Sequence, residues 1–156
     1  MIEINIPGRK LYQISSLVLD VNGTITLDGT IIDHVPERLM KLSKSVDITL
    51  VTADTQGTAV KLADYLNLKL INIQTGNEDK QKLAIIRETG SESTIAIGNG
   101  ANDSLMLEEA AIGICVAGKE GAAGEAIRHC DVWVNDINTA LDLLLKPKRL
   151  IATLRK

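Results

Sequence analysis

Aromatic side chains are nearly absent from this sequence, and cysteines are few. Its 156 residues include one Trp, two Tyr and no Phe, so aromatics make up 2% of the chain. Such a chain lacks the aromatic platforms on which single-stranded nucleic acids stack, and its core has to be built from Ile, Leu, Val and Ala. Cys115 and Cys130 are too few for a disulfide framework and lack metal-ligand spacing. Their apolar neighbours predict that both are buried free thiols.

Segments suited to targeting or to crossing a membrane are also missing. The first ten residues contain charges and a proline where a signal peptide would carry its apolar stretch. The longest apolar run, residues 110–118, is less than half of the roughly 20 residues that a spanning helix needs. The net charge of −3 offers no positive excess to attract nucleic acid or an anionic membrane. We therefore expect a cytoplasmic protein with neither kind of partner.

The composition is that of one globular domain. Hydrophobic residues make up 45% of the chain and charged residues 24%, which argues against disorder. A chain of this length buries roughly 68–70% of its unfolded surface, enough for a sizeable core. We find no internal repeat, low-complexity segment or long linker, so we predict a single domain over residues 1–156.

Short runs rich in Ile and Val alternate with segments of helical periodicity. This alternation predicts an α/β fold: a three-layer, Rossmann-like arrangement in which helices cover both faces of a mostly parallel sheet. The predicted strands are residues 15–19, 46–51, 69–73, 94–98, 112–116 and 131–134. The predicted helices are residues 36–45, 58–66, 78–88, 103–110, 121–130, 137–145 and 148–154.

Two segments interrupt the β-α alternation. Residues 1–6 are predicted to form an extra edge strand before a Pro7-Gly8 turn. The segment from Ile25 to Ile32 is predicted to form a hairpin, with Asp28-Gly29 as its two-residue turn. Because this hairpin directly follows the first central strand, it could serve as a flap over a site, or it could be ordinary edge structure.

Polar residues cluster directly after three of the predicted strands, at residues 20–24, 52–54 and 99–103. Any one cluster would fit loop polarity or helix capping, since turns favour these residue types. The carboxyl ends of parallel strands, however, meet at one edge of the sheet, where ligands bind in open α/β folds. The three clusters together therefore indicate a single site.

These clusters carry recognisable signatures. Segment 20–26 has the pattern D-K-T-G-T-L-T at Asp20, Gly23, Thr24 and Thr26, and segment 52–59 has the pattern T-G-D, with Ala53 in place of Gly. Both resemble the haloacid dehalogenase (HAD) superfamily of phosphatases and phosphotransferases. Within it, they look closest to the phosphorylation domain of P-type ATPases.

Two later segments extend the resemblance over most of the chain from Leu17 onward. Segment 77–80 lies where the ATPases carry P-x-x-K, with Asn77 in place of the Pro. Segment 98–103 matches G-D-G-x-N-D, except that Asn99 replaces an Asp. The resemblance implies the HAD fold and phosphoryl-transfer chemistry.

The same resemblance assigns roles to individual residues. Asp20 would be the nucleophile that forms an aspartyl-phosphate, and a signature lysine would hold the phosphoryl oxygens. We prefer Lys80 for that lysine because its separation from Asn99 resembles that in P-type ATPases, with Lys82 as the rival. The remaining phosphate-binding positions are Gly23, Thr52, Ala53 and Asn102. Magnesium would be held by Asp20, the main-chain carbonyl of Asn22, the side chain of Asn99 and a water bound to Asp103.

The chain departs from the family pattern at two metal-site positions. HAD phosphatases usually carry an Asp as general acid and base where this chain has Asn22, and an amide cannot exchange that proton. We therefore expect slow turnover, with phosphorylated Asp20 accumulating. Asn99 in place of a carboxylate predicts weakened metal binding.

No large insertion separates Asp20 from Thr52, so the chain resembles a HAD protein without a cap domain. Such proteins often shield the site by forming oligomers, and the hairpin over residues 25–32 is the natural element for that contact in a homo-oligomer.

The main hypothesis is a Mg²⁺-dependent hydrolase acting on a small phosphorylated substrate, a phosphomonoester or an acyl phosphate, through Asp20. One alternative is a module that phosphorylates itself from ATP, as P-type ATPases do. A second is a catalytically impaired HAD fold kept for binding or assembly, which the Asn22 and Asn99 exchanges would suit.

Overall fold

A computed structural model describes residues 1–54 and 57–156; Thr55 and Gln56, inside the second signature, lie outside these described residues. Within that part of the chain, six parallel strands form the central sheet. They are β3 (Ser16–Asp20), β6 (Asp47–Thr52), β7 (Lys69–Asn72), β8 (Thr94–Gly98), β9 (Ile112–Val116) and β10 (Val132–Val134).

The order of these strands, β10-β9-β8-β3-β6-β7, places the chain reversal beside β3. The chain runs from β3 outward through β6 to β7, and then returns to the other side of β3 to add β8, β9 and β10. In the register of the sheet, Asp20 lies opposite Val51 on β6, and Leu19 lies opposite Ile97 on β8. The loops after β3, β6 and β8 therefore leave the sheet at one edge, where open α/β sheets bind ligands.

Helices cover both faces of the sheet, as the sequence predicts. They are α1 (Val35–Leu42), α2 (Thr58–Leu66), α3 (Glu78–Thr89), α4 (Ser104–Glu109), α5 (Gly124–His129), α6 (Ile137–Leu145) and α7 (Pro147–Leu154). Because side chains alternate along a strand, Leu17 and Leu19 join a core with α1, α2, α6 and α7. Val18 joins a second core with α3, α4 and α5. No helix in the described part of the chain is long and apolar enough to cross a bilayer.

The core is built almost entirely from aliphatic side chains, as expected. Tyr12 is buried, whereas Trp133 is 54% exposed and Tyr65 is 71% exposed. Cys115 is a buried free thiol, and burial raises its pKa to about 12, which makes it unreactive. The prediction that Cys130 is also buried is wrong: it lies half-buried at the end of α5, where its thiol contacts the Ile127 carbonyl.

The N-terminal segment differs from the prediction. Strand β1 (Ile2–Asn5) pairs with β2 (Leu11–Ile14) in a separate antiparallel sheet, rather than joining the central one. Residues 11–14 escape prediction because four residues that alternate in burial give too short a pattern. The hairpin after β3 is confirmed, with β4 (Thr26–Leu27) paired to β5 (Thr30–Ile31). Its turn residues Asp28 and Gly29 both have positive φ, as a type I′ turn requires.

Several helix ends differ from their predicted positions. The predicted helix 103–110 is a 3-10 turn over Ala101–Asp103 followed by α4, and the helix predicted from residue 121 begins at Gly124. The helix predicted over 36–45 ends at Leu42. In each case the shift is a few residues, because capping interactions decide where a helix begins and ends.

Candidate active site

A cavity of about 290 Å³ opens at the sheet edge beside the chain reversal. All three polar clusters contribute to it, as the sequence predicts. Its lining consists of Asp20, Asn22, Ala53, Ile73, Glu78, Lys82, Asn99, Gly100 and Asn102. Among the predicted positions, Thr52 and Asp103 lie buried behind this lining, and Gly23 lines a neighbouring hollow.

Asp20 is the last residue of β3, and a tight turn follows it. The Val21 carbonyl accepts hydrogen bonds from the amides of Thr24, Ile25 and Thr26 at 3.0–3.2 Å. Gly23 permits this turn because its φ is 76°, in the left-handed region that glycine tolerates. The turn holds the Asp20 carboxylate at the carboxyl edge of the sheet, where its side chain is 10% exposed.

Lys82 lies against Asp20. Its side chain is 2% exposed, and Nζ donates to Asp20 Oδ1 at 2.7 Å and to Asp103 Oδ1 at 2.6 Å. Nζ also lies 3.3 Å from Asn102 Oδ1. A lysine is seldom buried unless its charge is paired, and these contacts supply that pairing. The site therefore holds one ammonium group between two carboxylates.

The structure corrects the sequence-based preference for Lys80. Lys80 is exposed and lines a separate surface hollow with Leu83 and Arg87. Two positions along a helix are separated by about 200° around its axis, so Lys80 and Lys82 cannot both face the sheet. The sequence does contain a signal that favours Lys82. The buried residues of α3 are Lys82, Ile85 and Ile86, and their spacing follows the i, i+3, i+4 pattern of a buried helix face.

Asp103 organises the loop after β8. It is fully buried, and its Oδ2 accepts from the backbone amides of Asn99 and Gly100, both at 2.9 Å. A methyl group at Gly98 would overlap the Asp103 carboxyl group, so only glycine fits there. Asp103 thus fixes both this loop and Lys82; its part in holding a metal-bound water stays a prediction.

The Thr24 hydroxyl contacts one oxygen of Asp20 and one of Asn99, both of which are candidate ligands for a cation. Its hydroxyl lies 2.8 Å from Asp20 Oδ2 and 3.1 Å from Asn99 Oδ1. A hydroxyl has one hydrogen to donate, so one of these two oxygens keeps its lone pairs free of Thr24. Carboxylate and amide oxygens are hard ligands of the kind that Mg²⁺ prefers. The donor set therefore fits a hard divalent cation, although no group of three His, Cys, Asp or Glu side chains suited to a metal occurs within residues 1–54 and 57–156.

Thr52 presents a hydroxyl close to Asn22. It is 2% exposed, and its oxygen accepts from the Asp54 amide at 3.0 Å and lies 3.5 Å from Asn22 Nδ2. Because the hydroxyl is the acceptor in both contacts, its hydrogen can be donated to a ligand oxygen. This geometry suits the phosphate-binding part predicted for Thr52.

Glu78 is a cavity residue that sequence reasoning missed. Its carboxylate accepts from Asn102 Nδ2 at 2.8 Å, and Asn102 in turn contacts Lys82. The side chain of Gln81 bonds to Gln74 and Gly76 and closes the loop before α3. An acidic residue in the first turn of a helix is commonplace, so the sequence held no distinctive signal for Glu78.

Burial and charge act strongly on Asp20. Burial and, after it, the nearby Asp103 carboxylate raise the pKa of Asp20, whereas the Lys82 ammonium and the Thr24 hydroxyl lower it; together they raise this pKa to about 7. The net effect is a carboxyl group that holds its proton far more tightly than usual.

This shift predicts how the stability of the metal-free protein depends on pH. The pKa of Asp20 rises from 3.8 to about 7 on folding, so its stabilising contribution is fully present below about pH 4 and is lost as the pH rises through 7. Asp20→Asn should remove this contribution to the loss of stability with rising pH. Urea unfolding in EDTA between about pH 5 and pH 8 measures how the free energy of unfolding changes with pH. The same change with pH in the wild type and in Asp20→Asn would contradict the prediction.

Solved structures share this architecture. A 3-deoxy-D-manno-octulosonate 8-phosphate phosphatase of Moraxella catarrhalis, crystallised with magnesium, phosphate and its sugar, superposes with a TM-score of 0.69 at 18% identity. The match covers 91% of this chain and 94% of that one. The cobalt-bound enzyme of Haemophilus influenzae matches with a TM-score of 0.67 at 14% identity, over 92% and 94% of the two chains. The chain has the fold of the HAD superfamily. The residues that the structure describes form no cap domain, as the short interval between the first two signatures predicts.

Relatives of this chain are also found by sequence. An uncharacterized protein of Methanocaldococcus jannaschii is 48% identical over 92 residues, which are 56% of this chain and 99% of that protein; the two belong to one family. A copper-exporting P-type ATPase of Staphylococcus epidermidis is 25% identical over 136 residues, or 85% of this chain. This chain spans 16% of the length of that ATPase. The comparison with protein-family models found no match.

Proposed function

We propose that this protein is a Mg²⁺-dependent phosphohydrolase that works through an aspartyl-phosphate on Asp20. The observation that carries the proposal is the Asp20 carboxylate, which contacts the buried Lys82 ammonium at 2.7 Å and lines a cavity at the reversal of a HAD fold. The HAD-fold phosphatases described above support the reaction class. The substrate would be a small phosphorylated molecule.

The charge of the site explains why a cation is required. Two carboxylates and one ammonium leave a formal charge of −1, which would repel a phosphate group. Asp20 Oδ2, Asn99 Oδ1 and the main-chain carbonyl of Asn22 are the oxygens that would hold Mg²⁺. When bound, the ion would neutralise the phosphoryl oxygens and keep Asp20 ionised as a nucleophile.

The residues around Asp20 divide the remaining work. An Asp20 oxygen attacks phosphorus, and the bond from phosphorus to the leaving-group oxygen breaks with its electron pair. Lys82 neutralises the transferring oxygens, and the Thr52 hydroxyl and the Ala53 loop orient them. Water then cleaves the aspartyl-phosphate, releasing inorganic phosphate and restoring the carboxylate.

Asn22 makes the second step slow. A carboxyl group at this position would protonate the leaving group and then activate the water, and each such proton transfer contributes about 10²–10⁴-fold. The Asn22 amide lies exposed beside Thr52 and cannot take either part. The phosphorylated form of Asp20 is therefore expected to accumulate.

A second candidate is self-phosphorylation from ATP. It is favoured by the similarity to a P-type ATPase across 85% of this chain and by the missing acid-base group, since both suit a long-lived phospho-enzyme. A HAD fold kept for binding alone is the third, and the buried Asp20–Lys82–Asp103 cluster, costly to maintain without a role, argues against it.

The test is the release of the leaving group (p-nitrophenol, acetate or ADP) and of phosphate from p-nitrophenyl phosphate, acetyl phosphate and ATP, with Mg²⁺ or with EDTA. We expect a Mg²⁺-dependent burst of the leaving group followed by slow release of phosphate, and mass spectrometry should find a phosphoryl group on the peptide that contains Asp20. Asn22→Asp should raise steady turnover by about 10²-fold and abolish the burst. Labelling from ATP alone would favour the second candidate; no release and no labelling from any donor would overturn the enzymatic proposal.

Oligomerisation through the β4–β5 hairpin stays a prediction. Leu27 and Ile31 of this hairpin are partly exposed, which leaves apolar surface for a second copy. A monomer in gel filtration would contradict it.

A further inference from the structure

The loop between β9 and α5 lies against the turn that follows Asp20. The Gly121 amide donates to the Gly118 carbonyl at 2.8 Å, and this turn carries Glu120. A methyl group at Gly23 would lie within 3.0 Å of both Glu120 Oε2 and Asn99 Nδ2. The Glu120 carboxylate therefore lies beside Gly23 and approaches the nitrogen end of the Asn99 amide.

Two hydrogen bonds fix this loop to Asn99. Asn99 Nδ2 donates to the Gly121 carbonyl at 3.3 Å, and the Ala123 amide donates to the Asn99 carbonyl at 2.8 Å. The first bond points the amide nitrogen toward the loop and the amide oxygen toward Asp20 and Thr24. Glu120 thus lies near the nitrogen of the Asn99 amide, whose oxygen contacts the Thr24 hydroxyl.

We infer that Glu120 supplies the negative charge that Asn99 lacks and thereby sets the affinity of the site for its divalent cation. This inference rests on the proposed function, because it concerns the same cation. Asn99 provides an oxygen ligand but no charge, where the HAD pattern has a carboxylate. A carboxylate near the amide nitrogen polarises the amide, which makes its oxygen a stronger ligand, and the negative charge also attracts the cation. Glu120 is accordingly a positioning residue, acting through Asn99.

Calorimetric titration of the purified protein with MgCl₂ tests the inference without reference to turnover. Glu120→Gln should weaken Mg²⁺ binding by about tenfold, the lower end of the effect of removing an outer-shell partner. The matched control is Glu125→Gln, which removes the same charge from an exposed position in the first turn of α5. It should leave Mg²⁺ binding within about twofold of the wild type.

A double substitution separates this role from a merely structural one. In EDTA, Asn99→Asp would place a carboxylate beside Glu120, and the two like charges should lower the melting temperature. Adding Glu120→Gln to that variant should recover part of the lost melting temperature, the rest of the loss being due to Asp20, whereas Glu120→Gln alone should leave the melting temperature of the wild type unchanged.

Equal Mg²⁺ affinity of wild type and Glu120→Gln would overturn this inference and leave the proposed function standing. So would an unchanged melting temperature when Glu120→Gln is added to Asn99→Asp. A wild-type protein that binds no Mg²⁺ at all would overturn both.

Discussion

Asp20→Asn is expected to reduce phosphate release by about 10⁴-fold or more, because removing the nucleophile of a covalent mechanism removes nearly all of the catalysis that depends on it. The amide is close in shape to the carboxylate and can keep the contact with the Thr24 hydroxyl. It cannot attack phosphorus to form an acyl phosphate. The phosphoryl label on the peptide containing residue 20 should disappear with the activity.

The folded state of this variant should survive the substitution. In EDTA its melting temperature should equal or exceed that of the wild type near neutral pH, since a buried carboxylate whose pKa is raised to about 7 no longer has to ionise. Asp47→Asn is the matched control, because Asp47 is exposed at the opposite end of β6. A folded Asp20→Asn protein with wild-type phosphate release would refute the assignment of the nucleophile.

Lys82→Met is expected to lower kcat/KM by about 10³-fold, the upper end of the loss when one group that stabilises transition-state charge is removed. It should also destabilise the fold by about 3–5 kcal/mol, as breaking a buried ion pair does, because Asp20 and Asp103 would face each other without a cation between them. Phosphate-release kinetics and urea unfolding measure the two effects. Lys82→Arg should keep the charge and most of the stability while still lowering kcat/KM, so the prediction stays testable if Lys82→Met does not fold.

Lys80→Met is the matched control for this experiment. Lys80 lies on the same helix, exposed and outside the cavity, so its loss should change kcat/KM and the unfolding midpoint little. The opposite result, a large loss from Lys80→Met and none from Lys82→Met, would restore the alignment of Lys80 with the P-x-x-K lysine and contradict the geometry of α3.

The two lysines show where sequence spacing stops being decisive. Lys80 has the separation from Asn99 that resembles P-type ATPases, and Lys82 has the position on the buried face of α3. Motif spacing counts residues along the chain, whereas contact with Asp20 depends on which side of the helix faces the sheet. Leu83 has helical spacing from Ile86 but is only partly buried, whereas Lys82, Ile85 and Ile86 are the buried residues of α3.

Glu78 and Glu120 show a second limit. Both are charged residues at a helix start or in a loop, where such residues are ordinary. Their contacts, with Asn102 and across Gly23, join segments more than twenty positions apart. Single-sequence patterns record local periodicity, so they carry no information about such pairs.

The sequence by itself determined the α/β layering, the central strands and the three clusters that meet at the carboxyl ends of β3, β6 and β8, because apolar periodicity and strand-end polarity are local properties. Only the tertiary structure decided which lysine reaches Asp20, that β1 and β2 pair apart from the central sheet, and that the Glu120 carboxylate lies near the nitrogen of Asn99. Those outcomes depend on helix rotation, strand partners and loop packing, which are settled by contacts between distant parts of the chain.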